Sequence, residues 1–175
     1  MPAIEYVILR ILQLFRKLPV NILSIGSHSV IFADYFKNFE ELAAVKGIFS
    51  EKTEYVLNHL KVEFTWIGGY MYVDSLDGHL VINRRYLNTG NKIDIYLDLI
   101  HELCHIKQFM DGRDLFDLQY DYVERPTEIE AYHYCVQEAK RLGLSQERIC
   151  SYLKTEWMSD YDLKRLAKSV NISYC

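Results

Sequence analysis

The 175-residue chain has only three prolines, four cysteines and no uninterrupted apolar stretch of the roughly twenty residues that a membrane-spanning helix needs. With so few prolines, and with no internal repeat, low-complexity tract or long linker, nothing divides it, so residues 1–175 are expected to form a single domain. The cysteines, at 104, 135, 150 and 175, form no C-x-x-C pair and outline no disulfide framework, so reduced thiols in a cytoplasmic protein are expected. An excess of basic charge is also missing. The formal net charge is -4, the pI is near 5.9, and the lysines and arginines are scattered, which argues against a nucleic-acid partner.

The most apolar segment, 1-MPAIEYVILRILQLFRKLPV-20, is interrupted by Glu5 and Arg10 and is followed by no small-residue cleavage site. Ile4, Val7, Ile8, Ile11, Leu12, Phe15 and Leu18 recur at helical spacing. That pattern predicts an amphipathic helix at about 4–18 that docks on the core, and no transmembrane segment.

What the chain does have is apolar content, half of its residues, enough to bury a core. Helices are expected over about 33–47 and 51–60. The stretch 61–87 alternates apolar and polar residues around Gly68-Gly69 and Asp77-Gly78, which predicts a small antiparallel sheet. A long helix should follow from about 92 to 110, ending at Asp111-Gly112. After a loop of about a dozen residues, Pro126 should open a helix over about 127–142 that closes at Gly143. Shorter helices are expected near 146–154 and 160–170. The fold class is α+β, a small sheet against several helices.

Within the long helix, His101, Glu102 and His105 fit H-E-x-x-H. Residues four apart on a helix lie one turn along the same face, so two neutral imidazoles can reach one Zn²⁺ while Glu102 addresses a water beside it. Alternatively these side chains, with Asp98, form the solvated face of a helix packed through Ile93, Leu97, Ile100 and Leu103. Cys104 projects about 100° from His105 and reads as a small buried hydrophobe. A third ligand would separate the two readings. The segment 124-ERPTEIEAYHYC-135 offers Glu124, Glu128, Glu130 and His133. Thr127-x-x-Glu130 also fits a capping box, and Glu124 and Glu128 suit a helix N-terminus without any metal.

The pairing of 101-HELCHIKQF-109 with a tyrosine-bearing loop and 126-PTEIEAY-132 resembles the gluzincin class of zinc metallopeptidases. The resemblance covers about residues 92–142 and extends loosely to the preceding sheet. It implies a zincin-like active-site helix followed by a helix that carries the third ligand. Zn²⁺ would be held by His101, His105 and Glu130, which precedes Ala131, with Glu102 as general base and Glu128 as the reserve ligand. Larger gluzincins often place an acidic residue one turn after the ligand glutamate, where this chain has Tyr134. His133, Tyr120, Tyr122 and Arg125 are candidates to stabilise an oxyanion. His28, His59 and His79 are expected to be structural, and the fourteen tyrosines to pack at a cleft or interface.

The expected function is therefore a zinc-dependent metallopeptidase acting on a peptide or protein substrate. Its competitors are a zinc-binding regulatory or interaction module without turnover, and a helical interaction protein with no metal.

Overall fold

A computed structural model describes residues 29–173 and Cys175. The helix expected at about 4–18, and His28, lie outside the described residues. The chain enters a short strand β1 (Ser29–Ile31) and a helical turn α1 (Phe32–Tyr35). The single helix expected over 33–47 is broken. Asn38 takes a left-handed conformation at φ 63°, which asparagine tolerates better than most residues, and a 3-10 turn, Phe39–Glu41, precedes α2 (Ala43–Phe49). The break lets Phe32, Phe36 and Phe39 pack on one another with ring centroids 4.8–5.8 Å apart. Helix α3 (Thr53–His59) leads into the sheet.

The sheet comprises β1, β2 (Lys61–Thr65), β3 (Met71–Val73) and β4 (Leu80–Asn83) in the order β1-β2-β4-β3. It is mixed where an antiparallel sheet was expected. β2 and β4 run parallel, with Val62 opposite Leu80 and Phe64 opposite Ile82, while β3 pairs antiparallel with β4. Gly68-Gly69 is thus no hairpin turn, because the 66–70 connection carries the chain past the position that β4 fills. β4 explains the outcome: Leu80, Val81 and Ile82 are all buried, the continuous apolar pattern of an inner strand. The Asp77-Gly78 turn does join paired strands, with Gly78 at φ 75°.

Asn83 ends β4 and caps a helix that the sequence did not announce, α4 (Arg84–Thr89), by accepting hydrogen bonds from the Arg85 and Tyr86 amides. Asn91 caps the long helix α5 (Lys92–Met110) in the same way. α5 ends as expected before Gly112, whose φ of 73° suits glycine. Unlike a surface helix, α5 is buried almost all round from Ile95 to Ile106. The sheet lies beside it, and α6 (Pro126–Arg141) packs along it. Helices α7 (Gln146–Leu153) and α8 (Asp160–Ser169) close the bundle, the latter through a Ser159/Asp162 capping box.

One hydrophobic cluster runs from Phe32 to Ile172 and takes side chains from every layer. No helix among the described residues is long and apolar enough to cross a membrane. Two cysteines depart from the expected reduced state: Cys150 in α7 is disulfide-bonded to Cys175, while Cys104 and Cys135 are buried free thiols. The pair is 25 residues apart with no local motif, so only the return of the C-terminal tail to α7 brings it together.

Candidate metal centre

Helix α5 carries His101, Glu102 and His105 into the interior, with side chains that a solvated helix face would leave open. His101 and Glu102 are 8% exposed and His105 7%. Polar groups buried this deeply need partners or a ligand. The two imidazole Nε2 atoms lie 2.9 Å apart, as one helical turn allows.

Glu128, in the first turn of α6 and 7% exposed, completes the group. Its Oε2 is 3.3 Å from His101 Nε2 and its Oε1 is 3.6 Å from His105 Nε2. Ligand atoms of His101, His105 and Glu128 all fall within 4.8 Å of one another. Arg125 Nη1 is 3.9 Å from Glu128 Oε1 and adds a positive charge beside the carboxylate.

Glu130, expected as the third ligand, is placed elsewhere. Residues two apart on a helix point about 200° apart, so the face that presents Glu128 turns Glu130 outward. There Glu130 is ion-paired with Arg113 and accepts from Gln108 Nε2 at 2.9 Å. The Thr127-Glu130 capping box does not form either, since no side chain caps α6.

Gln108 is the residue the motif does not name. It is 1% exposed, and its Nε2 donates to the Thr127 carbonyl at 3.0 Å as well as to Glu130. Both partners are acceptors, which fixes the amide orientation. Oε1 therefore faces His105 Nδ1, 2.7 Å away, and accepts a hydrogen bond from it. With Nδ1 engaged in this way, the neutral form of His105 would direct its Nε2 lone pair at His101 and Glu128, the tautomer that a metal ligand needs. A polar residue three positions after a ligand histidine, on the same helix face, was the available signal.

The electrostatics follow from burial and proximity. Burial and the neighbouring His105 lower the His101 pKa. Burial would lower His105 too, but hydrogen bonding to Glu128 and the charges of Glu102 and Glu128 outweigh it and bring it to about 9. Burial works to raise Glu128, yet the two adjacent imidazoles hold it well below the usual carboxylate range. Burial pushes Glu102 up to about 8.

Among the other candidates, the Tyr122 hydroxyl is 3.0 Å from that of Tyr132, whose ring packs on His101, and it also faces Glu128. Tyr120 is exposed, and Glu124 pairs with Arg165. His133 lies with Glu130 and Tyr134 on the outer side of α6. Tyr134 donates to the Gly47 carbonyl at 3.2 Å. His59 bonds the Tyr55 carbonyl at 2.7 Å. His79 sits with Asp74 and Asp77 in the β3–β4 turn, where both aspartates accept backbone amides.

The donor set fits Zn²⁺. Two imidazole nitrogens and one carboxylate match a site that leaves a fourth position open. Glu128 Oε2 is buried without a hydrogen-bond partner, and so is His101 Nδ1. Of the group, His101 lines a cleft of about 270 Å³, together with Glu102, Tyr122 and Tyr132. No family model matches this chain, and neither the curated proteins nor the solved structures contain a match, so the case for this site rests on its own geometry.

Proposed function

We propose that the chain is a zinc-dependent metallopeptidase, with His101, His105 and Glu128 as metal ligands and Glu102 as general base. One observation carries the reading: three ligand groups from two helices converge inside the core, next to an acid that faces a cleft. When bound there, zinc would supply a Lewis acid that polarises a carbonyl and makes a water more acidic.

The chain's own residues supply the rest. The Glu102 carboxylate takes a proton from a cleft water as its oxygen adds to the peptide carbonyl carbon. It then returns that proton to the leaving amine nitrogen. Burial moves its pKa toward neutrality, where a carboxyl group serves in both directions. Tyr122, on the cleft wall, is the hydroxyl available to a developing oxyanion. Gln108 and Glu128 hold the two imidazoles in place.

The test is Glu102→Gln on zinc-loaded protein with mixed peptide substrates. Retained zinc with hydrolysis lowered at least ~100-fold supports the assignment of the base. Equal hydrolysis by both proteins removes Glu102 from that role. Full zinc occupancy with no cleavage by wild type would favour a binding module over an enzyme.

A further inference from the structure

The chemistry above leaves one side of the cleft unused. Asp98 lies one turn before Glu102 on α5 and lines the same cleft. It is half-buried, and both of its oxygens accept from hydroxyls: Tyr86 donates to Oδ2, and Tyr152 donates to Oδ1 at 3.0 Å. No cation among the described residues neutralises it. The nearby positive charges are taken. Arg148 is paired with Asp94, and Lys154, at the cleft rim, holds Asp160 at 2.6 Å. Glu156 is exposed across the opening and accepts from the Tyr70 hydroxyl at 3.1 Å.

The walls are aromatic. Tyr70 packs on Tyr86 with ring centroids 4.6 Å apart, and Tyr122 and Trp157 also line the space. Ring faces attract cations, and a half-buried carboxylate lacking a cationic partner attracts them more strongly. Glu102, over nine-tenths buried, opens into the same space, with burial rather than a hydrogen bond as the main influence on it. A volume of about 270 Å³ admits one side chain rather than a folded partner.

We propose that this cleft seats one cationic group of the peptide, a lysine or arginine side chain or a free α-amine, against Asp98 and Glu156 between the tyrosine and tryptophan rings. The proposal rests on the metallopeptidase reading for what becomes of the peptide, but binding itself requires no turnover. A cation held one helical turn from Glu102 places the adjoining peptide bond beside the metal centre. Cleavage then falls next to a basic residue or at a free N-terminus.

Binding decides it. The full chain, zinc-loaded and zinc-free, is titrated calorimetrically with three probes. Nα-acetyl-argininamide carries only a side-chain cation, norleucinamide only an α-amine, and Nα-acetyl-norleucinamide neither. At least one charged probe is expected to bind about 10-fold or more tightly than the neutral one, in both metal states, and the tighter of the two identifies the source. Asp98→Asn should close that gap. Glu156→Gln, at an exposed position that leaves the fold intact, should narrow it a few-fold. Equal binding of all three probes overturns the proposal, and so does a gap that neither substitution changes. Absent peptide hydrolysis alongside a measured gap would instead count against the metallopeptidase reading alone.

Discussion

Gln108 accepts a hydrogen bond from His105 Nδ1 at 2.7 Å while its amide nitrogen donates to Glu130 at 2.9 Å. The acid expected to bind metal therefore acts one residue removed, holding the amide that holds the imidazole. Gln108→Leu should keep the fold but weaken zinc binding about 10- to 100-fold, the usual effect of losing a partner that orients a ligand. Competition with a fluorescent chelator would measure it. An unchanged affinity would make Gln108 a packing residue only.

The two glutamates should separate cleanly in metal content. Protein purified without added metal should hold near one zinc per chain, and Glu130→Ala nearly the same. Glu128→Ala should lose most of it. Elemental mass spectrometry reads all three, and zinc loss in Glu130→Ala with retention in Glu128→Ala would reverse the ligand assignment.

Asp98 should give stability a particular pH dependence. Burial raises its pKa to about 6 from an ordinary 3.8, against the opposing pull of the two tyrosine hydroxyls. Between these values the folded chain binds the proton that the unfolded chain has released. The stabilisation from this group is present at low pH and is lost as pH rises from about 4 to about 6, at most about 3 kcal/mol. Chemical denaturation across that window should show a smaller decline for Asp98→Asn than for wild type. Parallel curves would assign the pH dependence to other groups.

Glu138 is 3% exposed, accepts the Tyr96 hydroxyl at 2.5 Å and receives two hydrogen bonds from Arg141 at 2.6 and 2.7 Å. Arg141→Met should lower stability by about 1–2 kcal/mol, because the remaining carboxylate keeps its burial without its solvent-exposed cation. Removing both partners, as Arg141→Met with Glu138→Leu, should recover much of that loss. A double variant as unstable as the single one would show that the cost lay in packing.

The disulfide can be counted directly. Under denaturing conditions without reductant, alkylation should label Cys104 and Cys135 only, and all four cysteines after reduction. Four labels without reductant would place Cys150 and Cys175 among the free thiols.

Much of this architecture was legible in local patterns. The asparagine before α5, the glycine after it and Pro126 at the start of α6 mark helix ends by local chemistry, and these ends fell where expected. Sheet pairing was less legible, because whether β2 meets β3 or β4 depends on the third dimension. A uniformly apolar Leu80-Val81-Ile82 was the one hint of an inner strand. The site shows the same division. H-E-x-x-H was readable, but the choice between Glu128 and Glu130 needed the inner face of α6. Ala131, Tyr132 and Cys135 mark that face, and stepping back one turn from them arrives at Glu128, not Glu130. The family resemblance favoured the glutamate before alanine, while helical periodicity favoured the other.

Because α5 is buried on nearly every side, its ionisable residues occupy positions that packing alone would give to leucine. Selection for thermal robustness and selection for chemistry then pull in opposite directions at the same few codons. A library screened only for heat resistance should accumulate apolar or uncharged replacements at Glu102 and Asp98. The positions replaced in the hardiest survivors would trace the outline of the proposed site.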